Sequence, residues 1–111
     1  MKIKTSELTG AALDWAVAKC EYDDLAAACI QYPEHAKFYP KVSPSTDWAQ
    51  GGPIIEREKL DVMFEGPEWY AYMRWEDKTL QYDGPTPLIA AMRCFVASKL
   101  GDTVDIPEEL R

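Results

Sequence analysis

The sequence predicts an α+β fold: one small domain in which a short antiparallel β-meander packs against two main helices, with an N-terminal strand added. Three observations carry this expectation. Leu13, Ala16, Val17 and Cys20 recur at helical spacing near the start of the chain. Leu88, Met92, Phe95 (or Val96) and Lys99 trace a second helical stripe, whose apolar part suits packing on a sheet. Between the two, the hydrophobic period falls to two, interrupted by turn signals at Gly66-Pro67 and at Glu76-Asp77-Lys78.

Residues 1–5 alternate apolar and basic, as in a short edge strand. Thr9 can cap a helix over 10–20. Trp15 lies off its stripe, so it either covers a second contact or is exposed. Residues 23–31 favour a second, short helix, which Pro33 stops. Pro40 and Pro44 bracket an extended stretch over 39–45. Residues 46–53 read as a loop, and 54–59 as one helical turn after Pro53. Strands are expected at 60–65, 69–75 and 79–82, antiparallel because their connections are short. In the second, Trp69, Ala71, Met73 and Trp75 share one face, and Tyr70, Tyr72 and Arg74 the other. Thr86 or Asp83 caps the last helix, over 87–100, and Gly101 ends it. The acidic tail, 103–111, is expected to fray.

A chain of 111 residues fits one domain, 1–111, that buries about two-thirds of its unfolded surface. An apolar fraction of 47% is ordinary for a globular protein. Four Trp and six Tyr are more than so thin a core hides easily, so some rings should be exposed at interfaces or ligand sites. A net charge of −7 makes direct DNA or RNA binding unfavourable, because that needs a basic footprint. A small anion could still be held by a local group of Arg and backbone N–H donors. Cys20, Cys29 and Cys94 are odd in number and form no C-x-x-C, so they read as buried thiols in a reducing compartment. Residues 1–7 hold no apolar signal region and no run is long enough to span a membrane, which points to the cytoplasm.

Catalytic chemistry finds little support. His35 is the one histidine and has no partner at ligand spacing, so no metal or other cofactor is expected. Ser43, Ser45, Thr46, Ser98 and the cysteines are possible nucleophiles, but no nucleophile elbow or triad accompanies them. Asp47 or Glu56 could act as a base in a small hydrolase, yet without partner machinery. The neighbouring acids Asp23-Asp24, Glu56/Glu58 and Glu108-Glu109 read as solvated or salt-bridged charges.

Residues 43–57 are the unusual part of the chain. Gly51-Gly52-Pro53 leads towards Ile54 and Arg57 without a Walker-type Lys-Ser/Thr or a dinucleotide fingerprint. The glycines therefore suit either a backbone cradle for an anion or a bend that lets backbones approach. Ser43, Ser45, Thr46, Asp47 and Gln50 add hydrogen-bonding groups, Trp48 a stacking ring and Arg57 a phosphate or carboxylate partner. Thr86 and Arg93 make a second polar cluster at the front of the last helix, where the N-terminus adds partial positive charge.

The stretches Lys4-Thr5-Ser6-Glu7-Leu8-Thr9-Gly10-Ala11-Ala12-Leu13-Asp14-Trp15-Ala16-Val17-Ala18, Ser43-Pro44-Ser45-Thr46-Asp47-Trp48-Ala49-Gln50-Gly51-Gly52-Pro53-Ile54-Ile55-Glu56-Arg57-Glu58 and Gly84-Pro85-Thr86-Pro87-Leu88-Ile89-Ala90-Ala91-Met92-Arg93 resemble the NinX-like family of small phage and prophage proteins. The resemblance implies an accessory protein of a temperate phage, made in the cytoplasm of an infected bacterium, and hands over no catalytic residue. By analogy with small phage proteins that counter host immunity, it suggests a non-enzymatic sponge. Such a protein would sequester a nucleotide-derived immune signal of the cyclic nucleotide or cyclic ADP-ribose type. Trp48 would then stack on a base and Ser45, Thr46 and Asp47 read ribose or base edges. Arg57 and Arg93 would contact phosphates, with Gly51 and Gly52 letting N–H groups approach. A homo-oligomer would supply the missing walls. The alternative is an acidic protein-binding inhibitor of a host factor.

Overall fold

The last helix, α3 (Pro87–Leu100), organises the molecule. Its residues from Ala90 to Ala97 are all buried, so it is apolar nearly all round and must be covered on every side. The computed structural model, which describes residues 1–21 and 43–110, shows what covers it. One side lies on a three-stranded antiparallel sheet of β2 (Asp61–Glu65), β3 (Glu68–Arg74) and β4 (Thr79–Gly84), in the order β2-β3-β4. Helices α1 (Gly10–Glu21) and α2 (Trp48–Glu58) also pack against α3. This is the α+β architecture expected from the periodicities, with α3 as the helix lying directly on the meander.

The meander register follows the alternation of side chains. Ala71 pairs with Val62 and Tyr82, and Met73 with Leu80, so these residues share the face turned to α3. Trp69 joins that face and meets Phe64 at 5.2 Å between ring centroids. Trp75 does not. The strand stops at Arg74, the Trp75 N–H closes a turn onto the Lys78 carbonyl at 2.8 Å, and the Trp75 ring is exposed with Lys78 Nζ 5.0 Å away. Trp15 packs in the core with 6% exposure, because α1 meets neighbours on more than its Leu13–Val17 stripe.

A second, two-stranded sheet pairs β1 (Lys2–Lys4) with β5 (Thr103–Asp105). The tail expected to fray is therefore anchored over this stretch, and Ile106 beyond it is buried. Backbone pairing and the burial of Val104 and Ile106 outweigh the acidic composition on which that expectation rested. Thr5 ties this sheet to the end of α3: its Oγ1 donates to the Gly101 carbonyl at 2.7 Å and its N–H to the Asp102 carbonyl at 2.8 Å. Gly101, at φ +89°, turns the chain out of the helix, a backbone conformation that other residues rarely adopt.

At the other end of α3, Thr86 is the N-cap, and its Oγ1 accepts the Ile89 N–H at 3.1 Å. Thr86→Ala is expected to lower stability by about 1 kcal/mol, with Thr86→Ser keeping most of it, measured by urea denaturation.

The region of residues 46–58 differs most from expectation. Helix α2 begins at Trp48, several residues before the single turn read after Pro53. Asp47 makes the difference: as N-cap it accepts the Ala49 N–H at 2.9 Å, and its carbonyl accepts the N–H groups of Gln50 and Gly51. Helix formation then continues through two glycines and Pro53, residues that composition alone assigns to a loop. Lys59, at φ +56°, ends the helix. The helix expected over 23–31, with Cys29 and His35, lies outside the described residues.

Candidate ligand site

The polar groups of residues 43–50 first of all hold one another. Gln50 Oε1 accepts the Ser43 N–H at 2.8 Å, and Gln50 Nε2 donates to Asp47 Oδ2 at 3.2 Å. The N–H groups of Thr46 and Asp47 donate to the Ser43 carbonyl. Ser45 fastens this turn to α1, its N–H donating to Asp14 Oδ1 at 2.9 Å. The Ser45 hydroxyl is buried beside the same carboxylate, without a partner of hydrogen-bonding geometry among the described residues. Burial raises the Asp14 carboxyl above its ordinary range, against the lowering effect of the Ser45 groups. Nothing in the sequence marks Asp14 as the residue that seats this turn, since its partner lies 31 positions away.

The two glycines have separate roles. A Cβ on Gly51 would stand 2.5 Å from the Pro44 carbonyl oxygen and 2.6 Å from Leu88 Cδ2, so this position brings α2 against both the turn and α3. Among the described residues, a Cβ at Gly52 would meet only the Trp48 ring, at 4.0 Å. The close-approach reading of the glycine pair thus applies at Gly51. Its N–H is already bonded to the Asp47 carbonyl inside the helix, and so does not point at a ligand.

Ser45, Thr46 and Trp48 meet Thr86 in one groove of about 210 Å³, completed by Pro87, Leu88 and Ile89. Thr86, one of the two residues of the second polar cluster, therefore faces Ser45, Thr46 and Trp48 within one chain where α2 and α3 begin. Trp48 stands at this groove with 57% exposure. Pro87, Leu88 and Ile89 carry no polar side chain that would have marked them as groove residues.

Neither arginine joins them. Arg93 is buried: its Nε donates to the Leu8 carbonyl and its Nη1 to the Asp83 carbonyl, both at 2.8 Å. Burial lowers its pKa, which the nearby acids Asp83 and Glu68 oppose. Arg57 lines a separate cleft of about 380 Å³ between α1 and α2, with Val17, Ala18, Ile54 and Gln50 among its walls. Its guanidinium forms a bidentate pair with Glu21 and donates through Nε to Glu58 at 2.8 Å.

A larger cavity, of about 650 Å³, opens between α1 and the β5 end, lined by Trp15, Lys19 and Asp105 among others. None of residues 43–57 lines it. The groove is the better candidate because exposed aromatic surface and hydroxyls converge there. The Cys94 thiol, buried against the sheet, is pushed up to about 12 by desolvation and is no nucleophile at neutral pH. Among the described residues, no three His, Cys, Asp or Glu side chains come together as a metal site.

Residues 4–99 match the family described as bacteriophage P22 NinX. The chain belongs to the NinX family. No curated protein matches it. The NinX match takes in α1, α2, the meander and all but the last residue of α3, so both walls of the groove lie within it. Among the described residues, no helix of this NinX protein is long and apolar enough to cross a membrane.

Proposed function

We propose that this phage protein is a non-enzymatic binder that sequesters a nucleotide-derived host immune signal, of the cyclic nucleotide or cyclic ADP-ribose type, in the cytoplasm of the infected bacterium. The observation that carries the reading is the convergence of Ser45, Thr46, Trp48 and Thr86 on one groove where two helices start. An exposed indole beside hydroxyl groups suits a flat ring with hydrogen-bonding edges. Arg57 and Arg93 play no direct part in this groove, being engaged elsewhere. At about 210 Å³ the groove is smaller than the roughly 300 Å³ at which pockets begin to enclose drug-sized ligands, which favours a second copy of the chain as the missing wall.

Calorimetry against cyclic dinucleotides and cyclic ADP-ribose derivatives tests the proposal, with recovery of unchanged ligand as the expected outcome. Absence of heat at micromolar concentrations, or turnover of the ligand, would sink it. Trp48→Ala is expected to remove binding while shifting Tm by no more than about 2 °C, because the ring is largely exposed.

A second reading, an acidic inhibitor of a host protein, draws on the outer face of the meander. Met63 is exposed there, Tyr70 and Tyr72 are half-buried, and Arg74 lies 5.2 Å from the Tyr72 ring. A stable host partner recovered from infected cells, with no small-molecule heat, would favour it.

A further inference from the structure

Resting on the binding reading above, we infer that the groove recognises the ring end of its ligand and not the phosphates. The group it takes is an uncharged planar heteroaromatic ring of the nucleobase type. The lining residues Ser45, Thr46, Trp48, Thr86, Leu88 and Ile89 carry no charge. The two arginines nearest in sequence are committed, Arg93 to two backbone carbonyls inside the protein and Arg57 to Glu21 and Glu58 in another cleft. Among the described residues, the charges that adjoin the groove are carboxylates: Asp14 holds the Ser45 N–H, and Asp47 stands between Thr46 and Trp48 in the chain. A phosphate seated there would meet these carboxylates with no cation among the described lining residues to offset them, in a chain of net charge −7.

The helix starts do not reverse this balance. An anion at a helix N-terminus needs free N–H groups, and here they are largely occupied. The Asp47 carboxylate already caps α2, and the Thr86 hydroxyl caps α3, whose first residue, Pro87, has no N–H. Among the described residues, the first turns leave one unpaired amide each, at Trp48 and at Leu88. Single donors beside the hydroxyls of Thr46 and Thr86 match the acceptor-and-donor edge of a base, and exposed Trp48 offers it a stacking face. The volume of about 210 Å³ fits one ring system, with sugar and phosphate projecting outward.

The test is calorimetry on the full chain with adenosine, guanosine, cytidine and uridine, their 5′-monophosphates and cyclic dinucleotides, each at low and at moderate salt. At least one nucleoside is expected to bind within about threefold of its monophosphate, with affinity changing less than about twofold with salt. Trp48→Ala should abolish that heat. A preference of about tenfold or more for the phosphorylated form, falling steeply with salt, overturns the inference and leaves the nucleotide-binding reading intact. Binding of cyclic dinucleotides without any nucleoside does the same. Nucleoside binding that survives Trp48→Ala overturns the groove as the ring site, and failure of every compound here, and of cyclic ADP-ribose derivatives as well, overturns both readings.

Discussion

Arg93→Met is expected to cost about 2–4 kcal/mol of folding stability, read as a lower urea midpoint at unchanged slope. The guanidinium donates to the carbonyls of Leu8 and Asp83, which belong to the segment before α1 and to β4. It thus joins two parts of the chain across the start of α3. Charge-assisted bonds of this kind contribute about 1.5–3 kcal/mol each, and methionine leaves the buried Leu8 carbonyl without its donor. The gain from no longer burying a cation offsets part of the loss, which keeps the expectation below the sum of the two bonds. Arg93→Lys should recover only a fraction, because one ammonium lacks the fork that reaches both carbonyls. If Arg93→Met left stability unchanged and abolished ligand binding, the guanidinium would be a ligand contact and its bracing role would be wrong.

Gly51→Ala is expected to destabilise the protein by about 1–3 kcal/mol, although alanine is intrinsically the better helix former by about 1 kcal/mol. Both effects operate, and the clash is the larger. Leu88 Cδ2 can rotate away from the new methyl group, but the Pro44 carbonyl is backbone and is held in the turn that Ser45 fastens to Asp14. Moving it means moving α2 away from α3 or breaking the turn. Because Leu88 and Ser45 also line the groove, ligand affinity should fall together with stability. Gly52→Ala is the internal control. Among the described residues its Cβ meets only the Trp48 ring at van der Waals distance, so it should be neutral or stabilising by up to about 1 kcal/mol. Equal effects at both glycines in thermal denaturation would show that packing against Pro44 does not govern the site.

The candidate site was legible as a list of residues and illegible as an arrangement. Trp48, Ser45, Thr46 and Thr86 stand out in sequence because a stacking ring beside short hydroxyls has little use in a plain connection. Arg57 and Arg93 stand out by the same reasoning, yet the fold gives one to Glu21 and Glu58 and the other to backbone carbonyls. An arginine in a sequence advertises five donors, and the partners that will satisfy them lie as far away as Leu8, 85 positions before Arg93. Asp47 shows the opposite case. In the sequence it draws notice as a possible base or ligand group in a loop that Gly-Gly-Pro favours on propensity, and in the fold it is the N-cap of a helix. Packing of α2 on α3 settled that conflict in favour of helix.

By itself the sequence determined the fold class, the existence of α1 and α3, the two-residue period of the meander, a cap at Thr86 or Asp83 and the stop at Gly101. Each of these depends on residues within a few positions of one another, where backbone sterics and side-chain spacing act directly. It also carried the NinX signature. Only the tertiary structure decided that Ser45, Thr46, Trp48 and Thr86 share one groove, that the arginines stand apart from it, and that Trp15 goes inside while Trp48 stays out. The acidic tail likewise became a strand only because β1 was there to pair with it. In each instance the outcome turns on which polar groups lose water and which partners they then find, and those partners are distant in the chain.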